Sequence, residues 1–242
     1  MATTTAPSLN DRLRDHRFYL LIAVLLAGLV FAGFAPSFYL NGSFHHFPLS
    51  GLHILHGTVF SSWIGLLILQ SALINARQVR VHRKLGYAAI GLALLMIFLG
   101  VTIAISAARR GVTPPGAPPP LVFFAIPFFD VIVFSAVVGA AFWYRNRPET
   151  HKRLMIVATL TIVPAASARI LVNLHAGAPI LEAYGISVLI LLGCMVYDYA
   201  TRRRVYPAYL WGGLFFVISV PLRLYISGTS GWLSFAHWIT RT

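Results

Sequence analysis

Residues 85–108, LGYAAIGLALLMIFLGVTIAISAA, run for 24 positions without a charged side chain, between Arg83-Lys84 and Arg109-Arg110. At 1.5 Å per residue a helix of this length extends about 36 Å, enough to cross the roughly 30 Å hydrocarbon layer of a bilayer. Basic residues at both ends mark where such a helix meets the headgroups. The stretch therefore reads as a transmembrane helix.

Working outward, apolar runs bounded by charge and by Pro/Gly signals give spans near 18–36, 51–76, 85–108, 120–144, 154–174, 180–201 and 206–227. The expected fold is all-α, a polytopic membrane bundle of seven transmembrane helices with short segments at 1–17 and 228–242. Composition agrees: 58% of residues are hydrophobic and 10% are charged, against about 25% charged in soluble domains. No stretch remains for a separate soluble domain. The first run follows Arg12, Arg14 and Arg17 but lacks a small-residue cleavage site, so it reads as a span rather than a signal peptide.

Fourteen of the 19 Lys and Arg residues fall in the N-terminal segment and the second-to-third, fourth-to-fifth and sixth-to-seventh connections. The positive-inside rule makes that side cytoplasmic, which places the N-terminus in the cytoplasm, the C-terminus outside and the chain in the cell membrane. The net charge of +13 is spread in short runs between spans. It suits lipid headgroups and argues against a nucleic-acid partner. The connection Gly111–Pro120 holds five prolines and two glycines and should be extended. Cys194, the single cysteine, lies within an apolar run and offers no disulfide or thiolate metal motif.

Val81-His82-Arg83-Lys84-Leu85-Gly86 opens the third span, and Thr150-His151-Lys152-Arg153-Leu154-Met155 opens the fifth. Each reads His, two basic residues, then Leu, which suggests related helical hairpins, 2-3 and 4-5, forming a four-helix core. If the hairpins pack antiparallel, His82 and His151 face one another and can ligate one haem b, with Arg83, Lys84, Lys152 and Arg153 neutralising its propionates. The other reading makes them solvated histidines within positive-inside clusters.

Polar groups inside spans are costly and usually face a cavity or a partner. His53 and His56 share a face of the second span, Asp130 lies in the fourth, Arg169 and Asn173 share a face of the fifth, and Arg223 lies in the seventh. All fall in the outer half of the membrane. Pro127, Pro164 and Pro221 precede Asp130, Arg169 and Arg223, and a proline frees a backbone carbonyl that protein, water or ligand must satisfy. These features predict an outward-opening polar cavity lined by Arg169, Asn173 and Arg223, with His45, His46, His175 and Glu182 at its mouth. Asp130 paired with Arg169 or Arg223 also reads as a structural tie. His53, His56, Asp130 and His175 form a candidate divalent-metal set, although no tight ligand spacing such as His-Glu-x-x-His is present.

The segment from Leu55-His56 through Gln70 to His82-Arg83-Lys84-Leu85-Gly86 resembles part of the small bacterial CtaM/YozB-like membrane proteins, a family implicated in maturation of haem-copper oxidases. The Thr150-to-Met155 segment resembles another part of that family, with the segment order exchanged in this chain. The resemblance covers helices two to five and implies respiratory oxidase subunits as partners. A weaker similarity is to transmembrane ascorbate-reducible b-type cytochromes, in which four core histidines hold two haems. His56, His82 and His151 stand at counterparts of three of these, and Asp130 stands where the fourth is required. The resemblance thus implies a haem- or metal-linked protein of oxidase assembly or membrane electron transfer. From the residues alone, an intramembrane metal-dependent hydrolase or lipid-modifying enzyme and a small-solute transporter also stand open, because no Gly-rich phosphate loop, catalytic triad or nucleophile elbow is present.

Overall fold

The computed structural model describes residues 9–44, 48–111, 113–114, 116–174 and 180–241, and every regular element among them is helical. In chain order these are α1 (Leu9–Phe34), a π-helical turn (Ala35–Tyr39), α2 (Asn41–Phe44), α3 (Gly51–Asn75), α4 (Val79–Arg109), α5 (Pro120–Phe123), α6 (Ala125–Trp143), α7 (Pro148–Ile162), α8 (Pro164–Asn173), α9 (Ile180–Arg202), α10 (Pro207–Ser227) and α11 (Ser230–Thr240). Six helical segments are long and apolar enough to cross a membrane, and a seventh follows if α7 and α8, bent by 41°, count as one. The bend falls at Pro164, which lacks the N–H that would bond the Leu160 carbonyl. Leu21, Leu94, Phe98, Leu189, Val196 and Leu214 are each more than half exposed, a surface suited to lipid tails rather than water. The chain is an integral membrane protein.

The helices surround α7. Going round, α1 packs on α3, α3 on α4, α4 on α6, α6 on α10, α10 on α9, α9 on α8, and α8 on α1. Side chains of α7 reach outward to this ring: Thr159 Oγ1 accepts from Trp63 Nε1 at 3.2 Å, Leu154 lies under Gly212 of α10, and Arg153 meets Asp198 of α9. Arg153, Leu154 and Ile156 through Thr161 are all buried. The hairpins α3–α4 and α6–α7 are both present, but the centre is this one helix rather than an even four-helix core.

Two elements differ from the sequence reading. Helix α1 begins at Leu9, so much of the basic N-terminal segment is helix, and its Asp15 is buried beside Lys152 and Arg202. Much of the 228–242 segment is α11, whose Trp232 and Ala236 pack on Phe124 and Ala125. The Thr229 hydroxyl caps its start by accepting from Trp232 N, and Arg109 donates to the carbonyls of Thr240 at 2.9 Å and Ile239 at 3.4 Å at its end. Those are the groups a helix terminus leaves unsatisfied.

Candidate functional site

His82 is the fourth residue of α4 and His151 the fourth of α7, so the repeated motif places both imidazoles one turn into their helices. Their ring centroids lie 6.5 Å apart with the planes at 80°. His151 Nδ1 is 2.8 Å from the Ala141 carbonyl oxygen. A carbonyl can only accept, so Nδ1 carries the hydrogen and the Nε2 lone pair is left for a ligand. The Gln70 backbone lies against His82, and the buried atoms His82 Nδ1 and Gln70 Oε1 have no hydrogen-bond partner among the described residues.

His82 and His151 are the residues that would hold a haem here. Among the described residues no three His, Cys, Asp or Glu side chains converge to hold a metal ion. Two histidines fall short of the four donors a bare zinc ion takes, whereas a porphyrin brings its own equatorial nitrogens. The expected partners of the propionates divide into two pairs. Arg83 and Lys84 are exposed. Lys152 and Arg153 are instead committed to carboxylates, so they do not serve as free counter-charges.

That commitment forms a network at the same end of the bundle. Arg153 Nε and Nη2 donate to the two oxygens of Asp198 at 2.7 and 2.5 Å, both side chains being wholly buried, and Nη1 donates to Glu149. Lys152 binds Asp15 and Glu149, and Arg202 reaches Asp15, Glu149 and Asp198. The Arg153 guanidinium also lies over the Tyr206 ring, 4.1 Å from its centroid. Three carboxylates thus meet three cations. The sequence reading missed Asp15 and Asp198 because each sits at the edge of an apolar run, where a charge looks like a loop residue. The signal was available, since the chain has only six Asp and Glu in all.

At the other end, Asp130 is taken by Arg223 and by Tyr184, whose hydroxyl donates to Asp130 Oδ1 at 2.8 Å and accepts from Arg223 Nη1 at 2.8 Å. Ser219 completes the set, accepting from Arg223 through its carbonyl and its hydroxyl. Arg169 is not part of this tie: it is exposed on α8 with its guanidinium 4.3 Å from the Phe34 ring centroid, and Asn173 is exposed at the end of the same helix. His53 Nδ1 lies 2.7 Å from Ser50 Oγ, and His56 stacks at 4.1 Å on Phe60. His45, His46 and His175 lie outside the described residues. No protein-family model, curated protein or solved structure matches the chain.

Proposed function

We propose that the chain spans the membrane seven times, with its N-terminus in the cytoplasm and its C-terminus outside, and holds one haem b between His82 and His151 near the cytoplasmic face. The observation that carries this reading is the pair of imidazoles whose ring centroids lie 6.5 Å apart with the planes at 80°, with the His151 tautomer set by the Ala141 carbonyl. A ligand histidine whose other nitrogen donates to a carbonyl is both oriented and made more basic. When bound, such a group supplies a one-electron redox couple. With both imidazoles spent as its ligands, the group would serve electron transfer or haem handling in respiratory oxidase assembly rather than oxygen chemistry. The metal-hydrolase and transporter readings have less support, because Asp130 is already satisfied within the bundle by Arg223 and Tyr184.

The test is an optical spectrum of the full chain purified after haem-supplemented expression. A Soret band is expected, with the sharp reduced bands of a six-coordinate haem, and His82→Ala and His151→Ala should each abolish the six-coordinate signature. Colourless wild-type protein overturns the proposal, as does an unchanged spectrum in both variants.

A further inference from the structure

A third group of polar side chains lies where α1, α3 and α8 meet, away from the two networks that satisfy themselves. Gly33 of α1 touches the α8 backbone so closely that a Cβ there would fall 2.4 Å from the Ala166 carbonyl oxygen. The π-helical turn that follows lays the Phe38 ring over Gly57 of α3 and lets the Tyr39 hydroxyl bond Ser61 Oγ at 2.6 Å. Isolated π turns of this kind are frequent at functional sites. Phe34 and Phe38, four residues apart, thus carry Arg169 of α8 over one ring and Gly57 of α3, next to His56, against the other, and Arg169 lies within electrostatic reach of both His53 and His56, Arg110 within reach of His53.

What distinguishes this group is its charge balance. Every carboxylate that forms an ion pair among the described residues belongs to the two other clusters. Arg169 spends one donor on the Ala165 carbonyl at 3.0 Å and is steadied by the Phe34 ring beneath it. The rest of its five-donor fork meets no hydrogen-bond acceptor among the described residues. His56 Nδ1 is buried without a partner among the described residues. Arg169 stands four residues before the end of α8, about 6 Å along the helix, and is exposed. Its guanidinium fork matches two oxygens of a phosphate in a way that a single ammonium does not.

We infer that Arg169, His56 and His53 form a binding site for a phosphate-class oxyanion, with Arg110 adding positive field at its rim. The inference is independent of the haem reading. Two sources offer this chemistry, an anionic lipid headgroup and free phosphate. The thermal unfolding of the purified full chain, in a neutral detergent, should be followed with added dioctanoyl phosphatidylglycerol, inorganic phosphate or dioctanoyl phosphatidylcholine. Phosphatidylglycerol is expected to raise the unfolding temperature, and Arg169→Gln to weaken that response about tenfold in concentration, the loss of one charged fork. Arg169→Lys, which keeps the charge but loses the fork, should fall between. A shift from the lipid alone assigns the site to a headgroup, and an equal shift from inorganic phosphate assigns it to the free anion. Should Arg169→Gln not fold, Arg169→Lys and His56→Ala carry the same comparison. An equal shift from phosphatidylcholine, no shift from either anion, or variants that respond like the wild type would overturn the inference.

Discussion

Arg153 and Asp198 are both wholly buried and bonded through two parallel contacts. The desolvation of each is offset by the other and by Glu149, Tyr206 and Arg202 around them. Removing one member therefore does more damage than removing both. Asp198→Asn should lower stability by about 3–5 kcal/mol, whereas the double change Arg153→Met with Asp198→Leu should recover most of that loss. Denaturant or thermal unfolding of the three proteins in one detergent decides it, and a double variant as weak as the single one would contradict the account. In the sequence this pair was invisible for a physical reason: a span prediction averages over about 20 positions, so a charge near the end of a run is assigned to the headgroups. By contrast, Asp130 stands ten residues past Pro120, well inside its span, so a pairing with Arg223 could be read from the cost of leaving that carboxylate alone.

Helix α11 shows the same limit at the level of an element. Trp232, Ala236 and Thr240 recur every four residues and are the buried face, a helical period plainly written in the sequence. The segment is too short to span, and reading for spans alone leaves it as a tail. Its C-terminus depends on Arg109, which comes from the far end of α4 and donates to Thr240 and Ile239. A cation at a helix C-terminus contributes about 0.3–1 kcal/mol, so Arg109→Gln should fray the last turn without unfolding the protein. Hydrogen exchange at residues 236–240 should accelerate while exchange in α7 stays unchanged. Equal acceleration in both would mean that Arg109 holds the bundle rather than the helix end. The bend between α7 and α8 was more legible, because Pro164 can be placed in only one way within a helix.

For the whole molecule, the least expected feature is that α7, which carries Lys152, Arg153 and three threonines, lies at the centre. In lipid the polar face of a helix turns toward protein, so the segment with the weakest hydropathy becomes the best buried. The same arrangement bears on the topology. The 15 residues of α7 and the 10 of α8 make a path of about 37 Å, longer than the roughly 30 Å hydrocarbon layer. Asp198 and Arg202, at the end of α9, bond Arg153 and Asp15 near the starts of α7 and α1, so α9 returns to the end from which α7 departed. A bent pair that crosses puts Asn146 and Gly231 on opposite sides of the membrane. A re-entrant pair that turns back puts them on the same side. With Cys194 replaced by Ala, Asn146→Cys should resist an impermeant maleimide in intact cells and react after permeabilisation, while Gly231→Cys should react in intact cells. Both positions are exposed and a Cβ at Gly231 meets nothing within 4 Å, so side-chain access does not confound the comparison. Like reactivity at the two positions would replace the seventh crossing with a re-entrant hairpin. Reactivity exchanged between them would invert the bundle and put His82 and His151 at the outer face.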